Sequence, residues 1–222
     1  LKTYLLQAYI ERPFLYNKRK FDIRCYMAIS LLVDNHNNVE WKVEGVLVPA
    51  RLHPHQLRLF LLENFDANIH LTNDAIQKHS QSYGKFEAGN KLSFYEFEKY
   101  LAIKHNGKYD FREITKHMKE TARAAIQSTY KSIGGVRRHG VFELFGMDFM
   151  IDDAFRPWLI EINTNPCLET SCPVLERIIP ALVEDLFKTC LDPMFPPPRE
   201  WPSSRKYDID CSQPTKMELI FD

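Results

Sequence analysis

Near the end of this 222-residue chain, two strand-like runs carry charge where a strand should be apolar. Residues 142–151 (FELFGMDFMI) and 158–163 (WLIEIN) are separated by a polar break from Asp152 to Pro157. Asp148, Glu161 and Asn163 lie inside these runs. Two carboxylates and an amide in a hydrophobic hairpin are expensive to desolvate unless a cation binds them. If residues 153–156 close the hairpin, Asp148 falls opposite Glu161 and Gly146 opposite Asn163. Met147, Phe149 and Ile151 then face Ile162, Ile160 and Trp158, so one face is wholly apolar. Side chains alternate with period two, which puts Asp148, Glu161 and Asn163 together on the other face. Directly opposed Cβ atoms lie about 4.5–5.5 Å apart. Carboxylates that close repel unless one is protonated or a cation lies between them. Their donors are all oxygens, which favours Mg²⁺ or Mn²⁺ over zinc. Gly146 is expected to leave room for a ligand. A bulge would shift the register and spoil the pairing. The competing expectation is an edge hairpin with its polar face in water.

Composition sets only outer bounds. With 45% hydrophobic and 26% charged residues the chain is ordinary globular protein, long enough for one large domain or two small ones. Lys plus Arg balance Asp plus Glu at 29 each, so no global field points to nucleic acid or an anionic membrane. The odd set of five Cys reads as reduced thiols in an intracellular protein. Cys167 and Cys172 make no CxxC pair, and His53 with His55 lacks Cys partners, so no zinc motif forms. No run has the roughly 18 apolar residues of a membrane span, and no signal peptide is visible. The chain opens at Leu1 inside a strand-like run, as expected for a piece of a longer protein.

The remaining elements read as a mixed α and β chain. Residues 3–10 predict a strand ended by Glu11-Arg12-Pro13. Residues 20–32 and 39–48, joined by the turn-forming Asp34-Asn35-His36-Asn37-Asn38, predict an antiparallel hairpin. Asp74 and Gln77 have helix-cap spacing, and Ser93 with Glu96 forms a capping box opening a helix to about Lys104. Residues 82–92 read as loop. A long helix is expected over 111–132, stopped by Gly134-Gly135. A last helix is expected over 173–191, interrupted or kinked near Pro180. Residues 199–222 form a polar tail whose apolar end, 217–221, is able to dock. The class is α+β or α/β with a largely antiparallel sheet.

A second constellation lies on the first long strand. Lys20, Asp22 and Arg24 share one face, and Phe21, Ile23 and Cys25 the other. A lysine and an arginine around an aspartate can hold phosphate oxygens and neutralise charge on a transferring group. The bland alternative is a solvated strand face. The run Lys18-Arg19-Lys20 and the set Lys116, Lys119, Arg123, Arg137 and Arg138 offer cationic patches for an acidic partner.

Residues 20–24 (KFDIR), 70–77 (HLTNDAIQ), 83–87 (YGKFE), 145–152 (FGMDFMID) and 158–163 (WLIEIN) occur in the order found in the tubulin–tyrosine ligase-like family. Over residues 4–198 the chain resembles that family. The resemblance implies an α+β, ATP-grasp-like fold: a largely antiparallel sheet flanked by helices, here lacking its N-terminal part. It implies residues 1–198 as the C-terminal portion of the catalytic domain and 199–222 as a tail. It implies ATP with Mg²⁺ (or Mn²⁺) and ligation of a free amino acid (glutamate, glycine or tyrosine) to tubulin tails or another acidic protein through an acyl-phosphate. Asp148, Glu161 and Asn163 match the family's metal ligands. Gln7, Ala8, Tyr9 and Ile10 resemble its adenine hinge, and Lys20, Asp22, Thr72 and Asn73 its nucleotide contacts. Arg24 resembles its catalytic arginine. Tubulin or microtubules become the expected partners, with a cytoplasmic, cytoskeletal or ciliary setting, and no nucleic acid or membrane.

The pattern departs from the family in two places within the chain. Val48 follows Glu44-Gly45-Val46-Leu47 where an arginine is common, leaving Arg51 as a substitute. Residues 164–169 (TNPCLE) lack the Ser-Pro-Ser-Phe run of the glutamate-adding branch. The family's N-terminal domain and earlier phosphate-contacting lysines would precede Leu1. An inactive or truncated relative acting as a tubulin-binding module is therefore the alternative. A small-molecule ATP-grasp ligase, suggested by the Glu161-x-Asn163-x-x-Pro166 pattern, is a third.

Overall fold

The computed structural model describes residues 3–4, 6–33, 39–46, 50–52, 67–133, 141–192, 195, 198 and 217–221. Its strands are β1 (Phe21–Val33), β2 (Val39–Val46), β3 (Ala50–Leu52), β4 (Val141–Ile151), β5 (Pro157–Asn163) and β6 (Glu218–Phe221). They form one sheet in the order β5-β4-β1-β2-β6, with β3 continuing the β2 side of β1. Every pairing is antiparallel. The helices are α1 (Ala67–His70), α2 (Asp74–Gln77), α3 (Phe94–Lys104), α4 (Phe111–Ile133) and α5 (Pro173–Cys190). The fold is thus α+β, with β1 at the centre of the sheet.

The two faces of β1 have different covers. Phe21, Ile23, Cys25, Met27 and Ile29 join Met147, Phe149 and Ile151 of β4 in a core closed by α3 and α4. Their helical partners Phe97 and Leu101, then Ile114, Met118, Ala122 and Ile126, recur every three or four residues, as one helix face requires. On the other face, Tyr26, Ala28 and Leu144 pack beneath Leu175, Ile179, Leu182, Leu186 and Cys190 of α5. α5 covers only the far half of that face. The near half, with Lys20, Asp22 and Arg24, is left for the site.

Several expected elements recur in place. The Ser93–Glu96 capping box is reciprocal, with Ser93 Oγ accepting from the Glu96 amide and the Glu96 carboxylate accepting from the Ser93 amide. The cap of α2 falls one residue earlier than expected: Asn73 Oδ1 accepts from the Ala75 amide at 2.8 Å, and Asp74 is the first helical residue. α5 runs unbroken through Pro180. Its buried stripe offsets the one hydrogen bond that proline removes. The terminal apolar run docks as β6 on β2. Arg123 of α4 reaches across to the Ile220 carbonyl, donating from Nε at 2.9 Å and Nη2 at 2.5 Å.

The first expected strand is not one. Residues 6–10 are irregular, and Tyr4 and Leu6 are 82% and 100% exposed. Among the described residues no strand lies beside them to pair with. The chain joins the sheet only at Pro13, which bridges Asp152, and at Phe14, whose amide donates to the Ile151 carbonyl. Gly134-Gly135, Arg137, Arg138, Val48, His53, His55 and the turn at 34–38 lie outside the described residues.

Candidate active site

Strand register builds the site. Arg24 is the direct partner of Asp148 across β1 and β4, and Asp148 is the direct partner of Glu161 across β4 and β5. Opposed residues project from the same face. One row therefore reads Arg24, Asp148, Glu161 over three adjacent strands. The next row reads Tyr26, Gly146, Asn163.

The expected hairpin register holds from Gly146 to Asp148, and then a bulge intervenes. Beyond it Phe149 pairs with Leu159, Met150 with Trp158 and Ile151 with Pro157. The expected Phe149–Ile160 and Ile151–Trp158 pairs are thus displaced by one residue. Trp158 turns away from the core, is 48% exposed, and donates Nε1 to Asp152 at 3.0 Å. Leu159 takes the place on the core. The feared bulge is present, but it falls after the charged pair and leaves that pair intact.

Arg24 grips Asp148 with a bidentate fork: Nε to Oδ1 at 2.5 Å and Nη2 to Oδ2 at 2.8 Å. Both side chains are about one-ninth exposed, at 11%. Burial pulls the guanidinium pKa down, but the hydrogen bonds and charge of Asp148 outweigh it and hold Arg24 above its ordinary value. Asn163 completes the cluster, with Nδ2 donating to Asp148 Oδ2 and to Glu161 Oε1, each at 3.1 Å. The carboxamide thus sits between the carboxylates. A half-turn about its last torsion puts its oxygen there instead. Two carboxylates and an amide oxygen converging on one point fit a hard cation. Among the described residues no group of three or more His, Cys, Asp or Glu side chains is placed to hold a metal ion, so an ion here would rest on the two carboxylates and the Asn163 amide.

Lys20 stands at the opposite end of the stripe. Its Nζ donates to the His70 carbonyl at 2.8 Å and to Tyr9 Oη at 3.2 Å, and Tyr9 Oη lies 2.7 Å from His70 Nδ1. The ammonium also lies 4.9 Å from the Tyr9 ring centroid. Residues 7–12 form one wall of a cavity of about 460 Å³, faced by Asp152, Asp153, Arg156 and residues 158–160. Gln7, Ala8, Tyr9 and Ile10 are therefore grouped with Lys20 through Tyr9. Thr72 and Asn73 are not on this wall. Asn73 caps α2 and lines a second cavity of about 420 Å³ with Asp74, Lys91 and Cys167.

Burial lowers the Lys20 pKa from 10.5 to about 8, with Asp22 pulling in the opposite direction. Between those values the unfolded chain holds more protons than the folded one, so stability rises with pH. The slope is at most about 1.4 kcal/mol per pH unit. The burden of the buried charge is complete below pH 8 and is relieved above it. In urea unfolding, Lys20→Met is expected to exceed wild type by a margin that is flat below pH 7 and shrinks as pH climbs from 8 towards 10.5. A margin independent of pH would contradict this.

Three features lay beyond the sequence reading. Lys18-Arg19-Lys20 is not an exposed cationic patch, because Arg19 and Lys20 are 5% and 6% exposed. Arg19 forks onto Glu87, Nη1 to Oε2 at 2.6 Å and Nη2 to Oε1 at 2.5 Å. Tyr16 and Phe86 lie over it at 5.2 and 4.8 Å. The signal was the acidic Glu87 in YGKFE, whose partner lies 68 residues away. Asp152 is a buried hub of the β4–β5 turn, accepting from the Ala154 and Arg156 amides, Arg156 Nε and Trp158 Nε1. Burial alone would raise its pKa, but these donors bring it below the ordinary carboxylate value. Gly146 opens no space for a ligand: a Cβ there would lie 2.9 Å from Pro166 Cβ and 3.0 Å from Arg24 Nη1.

An antiparallel α+β sheet carries a charged, oxygen-rich row on the half of one face that α5 does not cover. The chain belongs to the tubulin-tyrosine ligase family, whose profile matches residues 1–36 and 56–200. It is 33% identical over 194 residues to tubulin glycylase 3A of Drosophila melanogaster, covering 85% of this chain and 18% of that protein. It is 30% identical over 199 residues to protein polyglycylase TTLL10 of Macaca fascicularis, covering 85% and 30%. It is 31% identical over 185 residues to probable tubulin polyglutamylase TTLL9 of Mus musculus, covering 83% and 38%. The chain thus spans well under half the length of these relatives. Among the described residues no helix is long and apolar enough to cross a membrane.

Proposed function

We propose that this chain carries the C-terminal catalytic portion (residues 1–198, with 199–222 as a tail) of an ATP-grasp ligase that joins a free amino acid to carboxylates of tubulin tails, in a cytoskeletal setting. The single observation carrying this is the row Arg24–Asp148–Glu161 with Asn163 between the carboxylates. Asp148, Glu161 and Asn163 would hold Mg²⁺ or Mn²⁺, which when bound offsets charge on ATP phosphates. The hinge residues Gln7, Ala8, Tyr9 and Ile10 line a cavity of a size suited to a base, Lys20 touches that hinge through Tyr9, and Asp22 lies in sequence between Lys20 and Arg24. Asn73, which lines the second cavity, and its chain neighbour Thr72 border the nucleotide in this reading.

In this reading an acceptor carboxylate oxygen bonds to the γ-phosphorus as the bond to ADP breaks. The amine of the free amino acid then bonds to the acyl carbon, phosphate leaves, and the ammonium proton is lost. Arg24, charged at any working pH, stabilises the negative charge that builds on the acyl-phosphate. Two of the three relatives described above are named glycylases, which puts glycine first among the amino acids to try.

The test is mass spectrometry of tubulin tails after incubation with the full-length protein, ATP, Mg²⁺ and a mixture of isotope-labelled glycine, glutamate and tyrosine. Wild type is expected to add residues and Glu161→Gln none. Tubulin that is bound but never modified would favour the binding-module alternative, and equal labelling by Glu161→Gln would sink the ligase mechanism.

A further inference from the structure

We infer that Gly146 is a positioning residue for Arg24: with Pro166 it bounds a slot, open only because Gly146 has no side chain, that holds the guanidinium flat against Asp148. Gly146 lies in mid-strand, where glycine weakens a sheet and usually marks a close approach. Its backbone gives no other reason for glycine, since the positive-φ glycines are Gly84, Gly89 and Gly107. What its missing side chain leaves room for is specific. A Cβ would stand 2.9 Å from Pro166 Cβ, 3.0 Å from Arg24 Nη1 and 3.4 Å from Arg24 Cζ.

Neither neighbour is free to yield. Arg24 is fixed by its two bonds to Asp148. Pro166 is fixed by its ring and by the next residue, whose carbonyl accepts from Tyr26 Oη at 2.9 Å. Tyr26 is 2% exposed and is itself the strand partner of Gly146. Slot floor, slot wall and wall anchor are thus built from adjoining residues of β1, β4 and the segment after β5. Nε and Nη2 face Asp148 while Nη1 lies along the slot, so the slot decides which guanidinium edge is left to meet an anion. That last role rests on the ligase reading; the slot itself does not.

The expected behaviour is a clash and its relief. Gly146→Ala should dislodge Arg24 from Asp148. Gly146→Ala with Pro166→Gly removes the proline Cβ and should restore much of the contact. Two readouts separate the slot from the reaction. The first is the ¹⁵N–H signal of Arg24 Nε, assigned by its loss in Arg24→Lys: protected from exchange in wild type, unprotected in Gly146→Ala, protected again in the double variant. The second is kcat for ligation by the full-length protein, falling roughly a hundredfold in the single variant, as for about 1 Å of misplacement, and partly recovering in the double variant while KM for ATP changes little. An Arg24 signal unaltered by Gly146→Ala overturns the slot. So does a loss that Pro166→Gly fails to relieve while thermal melting falls in step, since that marks general damage. If the Arg24 signal follows the expected order but wild type ligates nothing, the slot stands and the ligase reading fails.

Discussion

Asp148→Asn is expected to abolish ligation and to destabilise the fold together, whereas Glu161→Gln should abolish ligation alone. The contrast follows from burial. Asp148 is 7% exposed and is the countercharge to a guanidinium that is itself largely buried. Removing one partner of a buried pair costs roughly 3–5 kcal/mol, because the other charge stays behind uncompensated. The site borders solvent, so the lower part of that range applies. Glu161 is exposed and takes only the 3.1 Å bond from Asn163. Its amide analogue keeps shape and hydrogen bonding, and the stability change should stay within about 0.5 kcal/mol. Urea midpoints of the variants, together with Mn²⁺ binding followed by electron paramagnetic resonance, would check both halves. Both variants should weaken Mn²⁺ binding. An Asp148→Asn protein as stable as wild type would mean that Arg24 finds another acceptor.

The second large effect lies away from the site. Glu87→Gln should destabilise the protein by roughly 3–5 kcal/mol, because Arg19 would keep its charge in a pocket whose other surfaces are Tyr16 and Phe86. Side-chain exposures of 6% for Arg19 and 15% for Glu87 leave little water to help. Arg19→Met alone should be similarly severe, and Arg19→Met with Glu87→Leu much milder than the sum, since no charge is then stranded. A double-mutant cycle read by chemical denaturation measures the coupling. Additive losses would show the pair to be worth no more than an exposed one. This pair ties the segment entering β1 to the loop before α3, so its loss should loosen Lys20 before it reaches Asp148.

How far the chain could be read in advance depended on whether the relevant interactions were local. Ser93 and Glu96 lie within one turn, and their capping box was legible. The extents of α4 and α5, expected over 111–132 and 173–191, were legible within one residue. Asp148, Glu161 and Asn163 stood out because strongly polar side chains are rare inside such apolar runs, and a short turn fixed their register. Arg24 could be assigned to the strand face, but its pairing with Asp148 depends on β1 lying beside β4, a contact across 124 residues. Arg19 with Glu87 was hidden likewise, and a basic run looked like surface. Residues 6–10 misled because a strand-like run becomes a strand only where a sheet edge is there to receive it. Gly146 misled because the room beside a glycine says nothing about what fills it.

The bulge between Asp148 and Phe149 has a consequence for how an edge strand can serve two masters. Without it, Ile162 and Leu159, three residues apart, would point to opposite faces. With it, both oppose core residues of β4, Met147 and Phe149. β5 therefore runs in one phase beside the charged row and in the other towards the turn, and the bulge is the joint where the phase changes. An unpaired outer strand with uniform alternation can slide by two residues and keep its apolar side inward. One with a phase joint has a single seating, because any slide sets the joint against regular β4 backbone. The irregularity thus acts as a detent, keeping Glu161 level with Asp148 on a strand that has no neighbour on its outer side among the described residues.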